Sequence, residues 1–174
     1  MRIKTARTVL RPWCEADRPA FAAMHGDPEV MADAGGPLSR SQSDRKMDRY
    51  GAAYEAHGFC RWAIDDLEGK LVGYAGVMPI PANFPLAPGF DIGWRLVRSA
   101  WGRGLASEAA AAALEDVFAR TDLVEILSYT ASDNMRSQAV MRRLGLRRDQ
   151  ARDFCVEADG RRWNGLVWIA DRRR

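Results

Sequence analysis

Cysteine and histidine are scarce in this chain, and the few present stand far apart. Cys14, Cys60 and Cys155 form no Cys-x-x-Cys pair, and His25 and His57 have no cysteine beside them; neither a zinc module nor a disulfide framework is expected, and no metal. Cys60, inside the strand-like run Phe59-Cys60-Arg61-Trp62, reads as a buried thiol rather than a nucleophile. Long apolar runs are missing too. The most apolar helical stretch, Leu105 to Phe118, carries Ser107, Glu108, Glu115 and Asp116 and is too short to cross a bilayer. The opening Met1-Arg2-Ile3-Lys4-Thr5 lacks the features of a secretory signal. A cytoplasmic protein without membrane association is expected. Lysine is nearly absent: Lys4, Lys46 and Lys70 are the only lysines among 26 basic residues. The net charge is +3 and the pI about 9.0, but the arginines are scattered, and the tail Arg172-Arg173-Arg174 has no interleaved aromatics. The tail reads as a solvated terminus, and no nucleic-acid partner is expected.

What is present suits one domain spanning residues 1–174, with 47% hydrophobic and 28% charged residues, enough to bury a single core. Thr8 to Trp13 reads as a strand stopped by Pro12, and Glu15 to His25 as a helix ended by Gly26-Asp27-Pro28. Ser39 to Ala56 is a second helix with Gly58 as its stop. Phe59 to Ile64 and Leu71 to Met78 are rich in β-formers around a polar turn, which predicts an antiparallel hairpin. Four prolines (Pro79, Pro81, Pro85, Pro88) make the next segment a connection, either a substrate-side loop or a rigid crossover. Phe90 to Leu96 is a strand, Leu105 to Phe118 a helix with an alanine-rich face, Val124 to Thr130 a strand, and Asn134 to Leu144 a helix capped by Gly145. Two late strands are expected at Leu146 to Arg152 and Arg162 to Ile169.

The informative unit is strand, glycine turn, helix. The first turn of a helix offers unpaired N–H groups and a positive dipole end, so the turn Trp101-Gly102-Arg103-Gly104-Leu105-Ala106 can receive an anion. Gly102 and Gly104 let backbone amides converge, while Arg103 and Ser107 add charge and a hydroxyl. By itself, such a turn reads equally as an ordinary glycine turn. A P-loop is excluded because Leu105 follows Gly104 where lysine is required. The dinucleotide fingerprint lacks its third glycine, with Ser107 in that place.

Several ordered blocks carry a more specific resemblance. These are Ile92-Gly93-Trp94-Arg95-Leu96, the stretch Trp101 to Ala109, and Asn134-Met135-Arg136-Ser137 leading to Val140-Met141-Arg142-Arg143-Leu144-Gly145-Leu146. Together with Leu10-Arg11-Pro12-Trp13 and Trp62-Ala63-Ile64, they resemble the GNAT N-acetyltransferase superfamily, in particular its RimJ/RimL-like (ribosomal-protein alanine N-acetyltransferase-like) branch. The resemblance covers nearly the whole chain. It implies an α/β fold of the α+β type, a central, mixed, mostly antiparallel sheet flanked by helices.

The same resemblance implies acetyl-CoA as co-substrate and acetyl transfer to a primary amine by direct attack through a tetrahedral intermediate. The pyrophosphate would lie on Trp101, Gly102, Arg103, Gly104, Leu105, Ala106 and Ser107, and the pantetheine arm beside Trp94 and Leu96. Gly93 would permit close approach or a bulge. Asn134 would contact the cofactor or cap its helix, and Ser137 would sit near the thioester sulfur. Three positions depart from the family pattern. Trp101 stands where Gln or Arg is usual, although the branch commonly has Trp there. Met141 replaces a proton-donating tyrosine, which leaves Ser137 as the catalytic donor to the leaving thiolate. Asp91 stands where the branch often has Glu, and is the candidate catalytic base. Trp13, Trp62, Phe84 and Trp94 are candidates either for an acceptor pocket or for the core. The acceptor stays open between a peptide N-terminus and a small-molecule amine. So does homodimer formation through the final strand, and so does a non-catalytic acyl-CoA-binding sensor as the alternative function.

Overall fold

The computed structural model describes residues 1–158 and 161–172; Arg173 and Arg174 of the basic tail lie outside the described residues. Two short strands, β1 (Ile3–Lys4) and β2 (Thr8–Arg11), lead through a 3-10 turn into helix α1 (Arg18–Gly26) and then helix α2 (Arg40–His57). Ser39 and Gln42 cap the start of α2 reciprocally, and Gly58 closes it in the left-handed conformation, as its sequence position predicts. Strands β3 (Arg61–Asp66) and β4 (Leu71–Pro79) form the expected antiparallel hairpin. The proline-rich segment crosses to β5 (Phe90–Leu96), and the glycine turn feeds α3 (Leu105–Arg120). Then follow β6 (Glu125–Ala131), α4 (Met135–Arg143), β7 (Arg147–Arg148), β8 (Phe154–Ala158) and β9 (Arg161–Asp171).

The strands join in the order β1-β2-β3-β4-β5-β6-β9-β7, with β8 also on β9. Every pairing is antiparallel except β5 with β6, so the sheet is mixed and mostly antiparallel, as expected. The parallel pair is brief. Asp91 and Leu127 are in register, and beyond them no β6 residue pairs with β5. The sheet therefore splays open along Gly93 to Leu96.

Strand β4 is buried along nearly its whole length because helices cover it. On the α1 and α2 side, the rings of Phe21, Tyr50 and Tyr74 meet with centroids 5.4–6.0 Å apart. From α3, fully buried Ala109, Ala110 and Ala113 bring the helix close to the sheet. A smaller apolar cluster of Ile80, Leu127, Val167 and Ile169 lies under the proline connection.

Two expectations are corrected and a third holds. Leu146 to Arg152 is not a strand but the two-residue β7 followed by a 3-10 turn, Gln150–Arg152. The run is mostly polar, and Asp149 accepts from the Ala151 N–H at 3.2 Å to start the turn. The strand lies one step later, at β8, where Phe154, Cys155 and Val156 pair with β9. Arg172 is not a solvated tail residue. It donates to the carbonyls of Leu123, at 2.9 Å, and Thr121. Cys60 is the buried thiol expected, pushed up to about 12 by burial, which keeps it protonated and unreactive.

Candidate active site

The glycine turn and the splayed edge of β5 frame a cavity of about 590 Å³. Every residue assigned to the cofactor from the sequence lines it, from Trp94 and Leu96 through Trp101 to Ser107, to Asn134 and Ser137. Gly102 and Gly104 adopt φ of 72° and 76°, a left-handed backbone that disfavours side chains. No side chain caps α3, and among the described residues no backbone carbonyl accepts from the N–H groups of 102 to 107. The Ser107 hydroxyl is buried and also lacks a partner. Orphaned donors at a helix start are what phosphate oxygens require, so these residues fit the pyrophosphate of coenzyme A.

The turn is braced from the N-terminus. The Arg7 guanidinium donates to the Arg103 carbonyl at 2.6 Å. Glu108, in the first turn of α3, accepts from the Thr5 hydroxyl at 2.6 Å and from Arg7 N–H and Nε at 2.7 Å. Although burial opposes it, these donors hold the Glu108 carboxyl below its ordinary range.

The cavity also has basic residues that the sequence reading missed. Arg136 lies 4.1 Å over the Trp101 ring, and Arg143 lines the same wall. Neither makes an ion pair among the described residues. Their spacing of seven on α4 puts them on one helical face, a signal that was legible but went unread. Asn134 Oδ1 accepts from the Ser137 N–H at 3.1 Å and is thus the helix cap.

A second cavity, about 690 Å³, adjoins the first. The two share Asp33, Trp94, Arg95 and Ser137. Asp33, which no local motif marks, bridges the junction. Its carboxylate accepts from Arg95 at 2.8 Å and from Asn134 Nδ2 at 2.6 Å. Met141, which the resemblance matches to the family tyrosine, lines the second cavity.

Asp91 also lines the second cavity and does not touch the first. It is buried and paired with Arg61, which reaches from β3 to its carboxylate and, at 2.7 Å, to its backbone carbonyl. Burial raises the Asp91 carboxyl above its ordinary range against the pull of Arg61. Arg61 also accounts for Gly93. A Cβ there would stand 2.8 Å from the guanidinium, so Gly93 makes room for Arg61, and β5 shows no bulge against β4. Of the four aromatic candidates only Trp94 lines the acceptor side. Trp62 is fully buried, Trp13 packs on Phe21, and Phe84 stacks on Tyr129. Tyr50, Tyr74, Tyr129 and Trp163 line it instead.

A cavity that ends in a turn of free backbone donors and opens onto a second cavity has the layout of a group-transfer site. The chain belongs to the GNAT acetyltransferase family, the acetyl-CoA-dependent N-acetyltransferases: the family's acetyltransferase (GNAT) domain matches residues 7–147. An FsC-acetyl coenzyme A-N(2)-transacetylase of Aspergillus fumigatus is 30% identical over 151 residues, 83% of this chain and 64% of that protein. This chain thus spans under two thirds of that relative's length. An acetyltransferase from Agrobacterium tumefaciens has the same fold, with a TM-score of 0.82 and 28% identity over 98% of this chain and 94% of that one. A RimL ribosomal L7/L12 alpha-N-protein acetyltransferase, solved with coenzyme A, shares the fold at a TM-score of 0.78 and 18% identity, with 98% of each chain covered. No group of three or more His, Cys, Asp or Glu among the described residues is placed to hold a metal, and none of their helices is long and apolar enough to cross a membrane.

Proposed function

We propose that this chain moves an acetyl group from acetyl-CoA to a primary amine, a protein N-terminus or a small molecule, without a covalent enzyme intermediate. The observation that carries the reading is the meeting of the two cavities at Trp94, Arg95 and Ser137. Donor and acceptor can enter from opposite sides and react there. The turn from Trp101 to Ser107 holds the pyrophosphate, and the open edge of β5 lies alongside the pantetheine. An α-amine has a pKa of about 7.7–8.0, so a sizeable fraction is neutral near pH 7 and little base strength is needed. Asp91, its basicity raised by burial, takes the amine proton through water, and the Ser137 hydroxyl donates a hydrogen bond to the departing sulfur.

Acceptor-dependent thiol release from acetyl-CoA across a panel of amines tests the proposal. Ser137→Ala should lower kcat about 100-fold with little change in KM for acetyl-CoA, and Asp91→Asn should depress kcat at neutral pH. A change confined to KM reassigns Ser137 to binding. Acetyl-CoA binding with no thiol release for any amine would make the chain a sensor module.

A further inference from the structure

The acceptor cavity is unevenly charged. Its lining includes the cations Lys46, Arg49, Arg61 and Arg95 against the carboxylates Asp33 and Asp91. Arg61 pairs with Asp91, and Arg95 with Asp33 at 2.8 Å. The side chains of Lys46 and Arg49 form no ion pair or hydrogen bond among the described residues, while on the same two helices Arg18 holds Glu15 and Asp48 and Arg40 holds Asp44; Arg45, also unpaired, does not line the cavity. Three residues apart on α2, Lys46 and Arg49 share one helical face. We propose that the cavity selects an acceptor amine whose carrier bears a carboxylate or similar anion, seated against Lys46 and Arg49 while the amine reaches Ser137. The inference rests on the acetyl-transfer reading for the direction in which the acceptor lies.

Further observations support it. Burial alone would raise the Tyr74 hydroxyl, yet the charges of Lys46, Arg95 and Arg61, with the Tyr50 hydroxyl beside it, bring it below its ordinary value. The Lys46 ammonium is 5.9 Å from the Tyr74 ring centre. Across the cavity, where burial raises both groups, the charge of Arg49 still pulls Asp91 and Tyr129 downward. The cavity therefore holds a positive field, which walls of low dielectric focus. It would repel a polyamine and attract an amino acid or peptide rich in carboxylates. The lining follows α2 from Lys46 to His57, about 16 Å at the rise of a helix, room for a carrier longer than a simple amine.

Two readouts on the same panel separate this inference from the reading beneath it. The panel holds short peptides with acidic, neutral or basic residues after a common N-terminus, and small amines with and without a carboxylate. Binding to the coenzyme A-loaded protein is measured by calorimetry, and turnover by thiol release. Acidic carriers should bind about tenfold or more tighter than their basic counterparts, with the preference weakening in high salt. It should be lost in the double variant Lys46→Gln/Arg49→Gln and inverted in Lys46→Glu/Arg49→Glu, both checked for wild-type Tm. Preference for the acidic peptide or for the small acid identifies the carrier and supports the inference either way. Turnover without a charge preference, or a preference unchanged in both variants, overturns the inference while leaving acetyl transfer intact. Charge-dependent binding without turnover retains the anion site and sinks the catalytic reading.

Discussion

His25 carries a testable charge state although it lies outside both cavities. Its side chain is fully buried between Phe21 and Tyr74, Nδ1 sits 2.9 Å from the Phe21 carbonyl, and Nε2 has no partner. With Nδ1–H as donor the ring is neutral. Burial first, then the charges of Lys46 and Arg95, lower its pKa to about 4. An unfolded histidine titrates near 6.5, so between about pH 6.5 and 4 the unfolded chain takes up a proton that the native chain refuses. Stability therefore falls as pH drops through that window, by on the order of 3 kcal/mol once both states are protonated. Urea melts of wild type and His25→Phe from pH 7.5 to 4.5 check this: the variant should lose much of the acid-dependent decline, and parallel curves would assign the decline to other groups. At the same scale, the glycine turn was legible because its signal lies within a few consecutive residues. The partnership of Arg61 with Asp91 was not, because it spans three strands and is expressed locally only as the absent side chain of Gly93.

Among the elements, α3 does the most for the site, since its alanine face fixes its distance from the sheet and its start is the proposed phosphate grip. That start depends on a distant clasp. Glu108 is tied to Thr5 and Arg7, and Arg7 to the Arg103 carbonyl. Removing the carboxylate leaves these donors without their acceptor. Glu108→Ala should cost about 1 kcal/mol of stability, since the Arg7 donors are exposed and can turn to water, and also weaken coenzyme A binding, because the turn loses its brace. A thermal melt alongside a coenzyme A titration tests both; lost stability with unchanged affinity would limit the clasp to folding. Element positions were largely readable from periodicity and caps, as with Gly58 closing α2. The last strand, Arg162 to Ile169, is legible and lies within β9, whereas the strand expected before it fails because polar Arg147 to Arg152 hides a turn, and β8 is defined by its ladder to β9 more than by its own pattern.

At the scale of the whole molecule, the sheet opens where β5 and β6 part after Asp91 and Leu127, and the two cavities meet beside that opening. The cofactor side was legible because its residues come as contiguous blocks. The acceptor side was not: Asp33, Lys46 with Arg49, Tyr74 and Trp163 come from four separate segments that only the folded chain unites. The central claim is that backbone amides from Trp101 to Ser107, admitted by Gly104, hold coenzyme A. In Gly104→Val, a β-branched residue is forced into φ of 76°, at a cost of about 1–2 kcal/mol, and the amides lose their arrangement. The nearest atom to the added Cβ, the Arg7 guanidinium at 3.3 Å, ends a flexible side chain and can move aside, so the fold should survive. Calorimetric titration of coenzyme A into wild type and Gly104→Val, with circular dichroism to confirm folding, is the most direct test. Saturable binding to wild type and none to a folded variant is the predicted result; equal affinity in the two would contradict the account.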